Sequence, residues 1–405
     1  MVNLFDEEPA RLHARYLARL ITETGFLDFD SDRGIPANEQ AAVMIGVLLG
    51  TDGNGNEVLL KGISGGRRNL RGYVPHLIPD AAYRAYLDAH DPVIKDPCNT
   101  PPERRGHSAR ALRHYYGLYR FPTVFGGTVT LAECFGDRPI PTGSGDCAAI
   151  KLLAYALDND IRPTSMTEFF YGAGARSHLE FHHPCTERCS PILRRMLGLD
   201  PLYRDEHLLI LDKPPHLRSI PGTVESDSIE SRVRTLIPSA PVHCATHRLD
   251  MDASGLIVVA LTAEALSGMH RLFRTRQVRR NYEALIEGIL KKEKTEILLP
   301  LRSDRANRPY QVVDHAGGKE ARTLVKRIRV EEHPDGHLTR VELTPYTGRT
   351  HQLRIHCREG LGLPILGDRL YGTGMKSRLH LHARTLEFSH PVTGKELHID
   401  APVPF

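Results

Sequence analysis

The sequence predicts an α+β protein in two parts, residues 1–200 and residues 201–405. Three observations predict it. Short apolar runs rich in β-branched residues, residues 256–261 above all, read as buried strands. Segments with a helical apolar period, 8–22 and 263–280, read as helices packed on such strands. A break falls near 195–204, where the helix-like PILRRMLGL ends and PLYRDEHLL begins.

Composition narrows the class. Apolar and charged fractions of 40% and 25% are ordinary for a globular chain, and 405 residues can bury a real core in either part. No apolar run approaches the ~20 residues that cross a bilayer. The start, MVNLFDEEPARLHARYLARL, lacks the apolar core of a signal peptide. Seven cysteines do not form an even disulfide framework, so a cytoplasmic protein with reduced thiols is expected, working as a monomer and without a membrane. The net charge of +4 is uneven: residues 201–405 carry +6 and residues 1–200 carry −2. A basic C-terminal part is compatible with a nucleic-acid partner.

In the N-terminal part, 8–22 places Leu12, Tyr16, Leu20 and Ile21 on one helical face and Arg11, Arg15 and Arg19 on another. VMIGVLLG, TDGNGN and EVLLKGISG then read as strand, turn and strand. Residues 75–110, rich in Pro, Asp and Arg, read as loop with at most a short helix. RALRHYYGLYRF reads as a helix with a Tyr-rich packing face; stacking on RNA is the alternative. PTGSGDCAAIKLLAYALDND is a Gly-rich turn entering a helix, without the Gly-Lys-Ser/Thr of a nucleotide-binding loop. Cys147 reads there as a small buried thiol beside a surface Lys151, a lysine-activated thiolate being the alternative. In HLEFHHPCTERC, Cys185 and Cys189 with His178, His183 and the distant Cys147 can supply a tetrahedral zinc shell. No second Cys/His pair lies near them, and neither metal nor cofactor is expected.

In the C-terminal part, HLLILD is a buried strand closed by Lys213-Pro214-Pro215. The centre is HRLDMDASGLIVVALT, in which Arg248, Asp250 and Gly255 sit in a loop feeding a buried strand. Such a loop can hold a reactive carboxylate at the edge of a core; a surface turn with a salt bridge reads equally well from these residues alone. The helix over 263–280 has Leu266, Met269 and Phe273 on its core face. It carries Arg271, Arg274, Arg276, Arg279 and Arg280, a candidate phosphate-binding region or a solvated face. Tyr282, Ala284 and Ile286 alternate onto one face of the next strand. Thr350 is the expected N-cap of a short helix, HQLRIHCRE, with Leu353 and Cys357 on one face and Arg354 and Arg358 on a neighbouring one. His380 and His382 read as structural.

HRLDMDASG resembles the HRLD-x-x-T-S-G motif of the RluA-type pseudouridine synthases. DEHLLILDKP, RRNYEALIEG, TGRTHQLRIHC and PILGDRLYG fit the same family in the expected order across about 205–405. Ala253 stands where the family has Thr, which removes a loop hydroxyl but no reactive group. The N-terminal part looks like an extension carried by a subset of the family, not the small S4 RNA-binding domain of other members.

The resemblance implies a catalytic domain with a mixed, mainly antiparallel central sheet and a cleft, plus an N-terminal α+β accessory domain. It implies conversion of uridine to pseudouridine in ribosomal or transfer RNA, with no nucleotide cofactor. Asp250 would be the nucleophile, with Asp252 orienting its loop. Tyr282 would stack on the base and take its proton. Arg354 would pair with Asp250, whose ionised form a nearby guanidinium favours. Leu353 would pack on the uracil ring, Arg248 would fill the space of the flipped base, and His247 would shape the loop. Two other classes stay open: an RNA-binding protein with a degenerate site, and a carboxylate-nucleophile glycosidic hydrolase, which needs a second working carboxylate.

Overall fold

The computed structural model describes residues 4–25, 27, 43–65, 70, 72–172, 179–223, 227–334, 336–373 and 378–405. They divide into two compact units, Met1–Gly198 and Leu199–Phe405. No helix among the described residues is long and apolar enough to cross a membrane.

The first unit is built on a four-stranded antiparallel sheet. The expected hairpin forms from Val43–Thr51 and Glu57–Ile63, and the first of these strands also pairs with Arg162–Tyr171, which pairs with Phe181–His182. Alternation along Val43–Thr51 sends Ile45 and Val47 to one face and Gly46 and Leu48 to the other. Helix Glu8–Thr24 shares a core with Ile45 and Val47. Helix Ala148–Asp158 lies on the opposite face, so close that a Cβ on Gly46 or on its cross-strand partner Gly62 would meet Leu152 at 2.7 or 2.8 Å.

Three expectations for this unit are corrected. The buried stripe of the first helix is Ala10, Ala14, Leu17, Ala18 and Ile21, while Leu12 and Tyr16 are exposed. Small alanines permit the close approach to the sheet that larger side chains would block. Residues 75–110 are not loop: they hold most of two long helices, Asp80–Lys95 and Pro101–Gly117. The prolines at 101 and 102 occupy the first helical turn, where a missing N–H costs nothing. Thr100 there donates its N–H and its hydroxyl to Glu103 Oε2 at 2.8 and 2.7 Å. The tyrosine-rich face packs as expected, with the Tyr115 ring 6.3 and 5.4 Å from those of Tyr83 and Tyr86 on the preceding helix. Lys151 is not on the surface; it is buried and its Nζ donates to the carbonyls of Ile63 and Gly65 at 3.0 and 3.4 Å.

The second unit is organised by a nine-stranded sheet. Its central order runs Gly336–Pro345, Arg279–Glu287, Leu381–Ser389, Ser254–Ala260 and Leu208–Lys213. Every pairing is antiparallel except that of Leu381–Ser389 with Ser254–Ala260, so the sheet is mixed and mainly antiparallel, in an α+β unit, as expected. Ser254–Ala260 is buried at every position, which explains its unbroken apolar sequence. Helix Ala263–Arg274 covers it through Ala265, Met269 and Leu272. That helix is shorter than expected: it ends at Arg274, and Arg279 and Arg280 already belong to the following strand. Arg276 takes a left-handed backbone (φ 58°) at the turn between them.

Candidate active site

The register of the central strands assembles the site. Tyr282 pairs with Ala383 on one side, and Ala383 pairs with Gly255 on the other. Adjacent strands lie ~4.8 Å apart. The tyrosine therefore stands two strands from the end of the loop that carries Asp250. Gly255 makes the crossing possible. Its φ is +110°, and a Cβ there would sit 2.3 Å from the carbonyl oxygen of Ala383. Beside it, His382 Nδ1 meets Ser254 Oγ at 2.8 Å, which gives His382 the structural place expected of it.

Buried hydrogen bonds pin the motif loop. Ser219 Oγ donates to the Leu249 carbonyl and accepts the Leu249 N–H, both at 2.9 Å. Lys213 is wholly buried, and its Nζ donates to the carbonyls of Pro214, Leu217 and Met251 at 2.8, 2.8 and 3.1 Å. Burial pushes the Lys213 pKa down to about 7, against the pull of Asp250 and Asp252. His247 Nε2 accepts the Val258 N–H at 3.0 Å, and its ring lies 4.9 Å from that of Phe273. Burial, with Arg280 nearby, holds its pKa down at about 3, so the imidazole is neutral and carries its proton on Nδ1. It closes one backbone hydrogen bond of the motif strand. Arg248 points outward and is exposed. Ala253 is buried in the core cluster, so a methyl group fills the place of the absent threonine.

Asp250 is partly exposed, at 21% of its side chain, and Arg354 NH1 lies 3.6 Å from its Oδ2. Asp252 pairs elsewhere, its Oδ1 3.1 Å from His216 Nδ1, while its charge, like that of Asp250, acts on Lys213, His351 and Arg354. The two motif carboxylates thus differ in their ion-pair partners.

The expected Arg354–Asp250 pair is present, but it is the looser of two. Arg354 donates through Nε and NH2 to Asp368 Oδ2 and Oδ1 at 2.8 and 2.6 Å, a bidentate pair between almost fully buried side chains. Asp368 Oδ1 also accepts the N–H groups of Leu370 and Tyr371 at 2.9 and 3.1 Å. The Tyr371 ring lies under the guanidinium at 5.2 Å. Burial works against the Arg354 charge, and the hydrogen-bonded Asp368 outweighs it, raising the pKa.

Thr350 is not the N-cap of this helix. The helix spans Gln352–Ile355, with His351 before it in a left-handed conformation (φ 54°), and continues as one π turn, His356–Gly360. No side chain caps the helix; Gln352 instead ties down the loop before it. Its Oε1 accepts from Arg349 N at 3.0 Å and Thr347 Oγ1 at 2.8 Å. Leu353 and Cys357 join the core, and Arg358 is exposed whereas Arg354 is buried.

Tyr282, Ala284 and Ile286 share the buried face expected of them. Burial raises the Tyr282 pKa; Arg280, charged and hydrogen-bonded to the phenol, opposes that, and Asp250 adds to it. Tyr282 is therefore electrostatically coupled to both charges. Arg280 also borders a cavity of about 820 Å³, lined by Arg274, Arg276, Arg279, Arg322 and Arg349 with Glu387 as its single acidic residue. Arg271, the first of the expected basic cluster, is not among its lining residues.

Four residues of this site escaped the sequence reading. Asp368 lies inside a recognised motif, yet nothing local marks it as the main partner of Arg354. Lys213 reads as the end of a strand. Arg322 and Arg349 reach the cavity from segments more than 40 residues beyond the arginine cluster.

The sequence model of the RNA pseudouridylate synthase family matches residues 207–359. The dual-specificity RNA pseudouridine synthase RluA of Yersinia pestis is 41% identical over 210 residues, 50% of this chain and 98% of that protein. The enzyme of the same description from Escherichia coli (strain K12) is 41% identical over 210 residues, 50% of this chain and 93% of its own. Among solved structures, human RNA pseudouridylate synthase domain containing 1 is 27% identical with a TM-score of 0.45, covering 51% of this chain and 84% of that one. The bacterial matches run through nearly the full length of those enzymes, and the chain belongs to the RluA-type RNA pseudouridine synthases, a family of isomerases.

Proposed function

We propose that this protein isomerises specific uridines of ribosomal or transfer RNA to pseudouridine, with Asp250 as nucleophile. The observation that carries the reading is the meeting of a partly exposed carboxylate, a buried guanidinium 3.6 Å from it and a buried phenol two strands away that feels the carboxylate's charge. The reaction detaches uracil from ribose, turns it and rejoins it through carbon 5. It requires neither an oxidant nor a group donor.

The arginine-lined cavity supplies phosphate contacts, and Arg248, exposed beside the nucleophile, takes the place of the extruded base. Leu353 gives the uracil ring an apolar wall. Asp250 attacks the anomeric carbon or the ring and later leaves again. Tyr282 receives the carbon 5 proton. Because the phenol is protonated at neutral pH, it must pass its own hydroxyl proton on as it does so. The Asp250 carboxylate is the coupled acceptor once it is released. The carbon 5 proton, now on the Tyr282 hydroxyl, exchanges with water, Asp250 gives its proton up to solvent, and N1 of the product takes one from solvent.

The test uses RNA tritiated at uridine carbon 5. The wild-type chain should release tritium to water without cutting the RNA or freeing uracil. Tyr282→Phe should still bind RNA but release no tritium. Free uracil or strand cleavage would favour a hydrolase instead, and normal release by Tyr282→Phe would reduce Tyr282 to packing.

We further propose that the Met1–Gly198 unit is an accessory domain that orients the RNA and supplies no catalytic group. Its net negative charge and the completeness of the Asp250 site within the second unit support this. A 199–405 fragment should keep weak activity on a short uridine hairpin and lose site selection on total RNA. A folded fragment inactive until 1–198 is added in trans would place part of the active site in the first unit.

A further inference from the structure

Outside the synthase site, Cys147 converges on Cys185 and Cys189, some forty residues further along the chain. The Sγ atoms of Cys147, Cys185 and Cys189 all lie within 4.8 Å of one another, and those of Cys185 and Cys189 are 3.5 Å apart. Each comes from a different position in the first unit. Cys147 precedes helix Ala148–Asp158, Cys185 lies in the turn after strand Phe181–His182, and Cys189 opens helix Cys189–Leu197. A tetrahedral zinc ion with Zn–S bonds of ~2.3 Å holds its sulfurs about 3.8 Å apart, close to the spacing seen here.

A buried carboxylate lies close in the chain to the cluster: Glu168 Oε1 accepts the N–H of Ala149, two residues after Cys147, at 2.9 Å.

Of the described residues, no histidine completes the shell. His183 is exposed and pairs with Glu7 Oε1 at 2.8 Å, and His178 lies outside the described residues. Cys147 and Cys185 are only half-buried, so the fourth position opens toward solvent.

We propose that Cys147, Cys185 and Cys189 bind one Zn²⁺ ion that ties together the two helices and the edge strand of the first unit, with water as the fourth ligand. Soft sulfur donors and the small tetrahedral spacing favour zinc over hard cations. The ion is a staple for this unit and takes no part in uridine chemistry.

Full-length protein purified from zinc-supplemented cells without chelator should carry about one zinc per chain by elemental analysis. Replacement by Co²⁺ should give a thiolate-to-cobalt charge-transfer band together with the intense visible bands of a tetrahedral site. Cys147→Ser, Cys185→Ser and Cys189→Ser should each lose most of the metal, while Cys98→Ser, at an exposed cysteine, should keep it. Chelation should lower the unfolding temperature of the wild type and leave that of the triple variant unchanged. Wild-type protein with no zinc and no cobalt band would overturn the proposal, even if the serine variants failed to fold. So would a Cys185–Cys189 disulfide in freshly purified protein, or metal retained by the triple variant.

Discussion

Asp250→Asn should abolish pseudouridine formation, lowering turnover by at least about 10⁴-fold, while RNA affinity stays near wild type. The amide is nearly isosteric with the carboxylate but is not a nucleophile. The fold should hardly notice. Asp250 is partly exposed and its ion pair to Arg354 is the longer of two, so the variant keeps the buried Arg354–Asp368 pair intact. Unfolding free energy should therefore change by less than about 1 kcal/mol. Asp252→Asn serves as the control and should retain substantial activity, because the ion-pair partner of Asp252 is His216 rather than Arg354. Tritium release and denaturant titration on the same preparations decide the matter. Normal turnover by Asp250→Asn would remove Asp250 from the nucleophile's role.

Asp368→Ala should be the most destabilising single change near the site, by about 3–5 kcal/mol. It removes two charge-assisted hydrogen bonds to Arg354 and the acceptor for two backbone N–H groups, all in a buried setting. The guanidinium is left desolvated with only the 3.6 Å contact to Asp250. Activity should fall by about 10²-fold or more in whatever protein remains folded, since a shift of ~1 Å in Arg354 alters the position of the counter-charge to Asp250. Asp368→Asn keeps the shape and part of the hydrogen bonding and should lie between. An unfolding midpoint for Asp368→Ala indistinguishable from wild type would show that Arg354 does not depend on this anchor.

The contrast between Asp250 and Asp368 also marks what a sequence can reveal. The motif strand was legible because residues 256–261 are buried on both faces and so carry no polar interruption. Tyr282, Ala284 and Ile286 were legible because a half-buried strand alternates with period two. The partner of Arg354 was not legible. It lies 14 residues away across a turn, and any of several acidic residues at that range would read alike. The Pro-rich stretch before residue 110 was not legible as helix because Pro101 and Pro102 fall in a first turn, where proline is tolerated, and because Pro92 is accommodated in the last turn of Asp80–Lys95. The first helix was misread for another reason: large apolar residues dominate a hydrophobicity pattern, yet the sheet accepts only alanines at closest approach.

The parallel pairing of Ser254 and Gly255 with His382 and Ala383 joins segments separated by 128 residues. No local hairpin can supply that contact, and its loop-closure entropy must be overcome before the contact contributes anything. Asp250 and Tyr282 reach their working positions only once this last seam of the sheet has closed. A chain emerging from synthesis would thus carry Asp250 long before that carboxylate had its full set of neighbours, and the site is assembled only when His382 and Ala383 arrive.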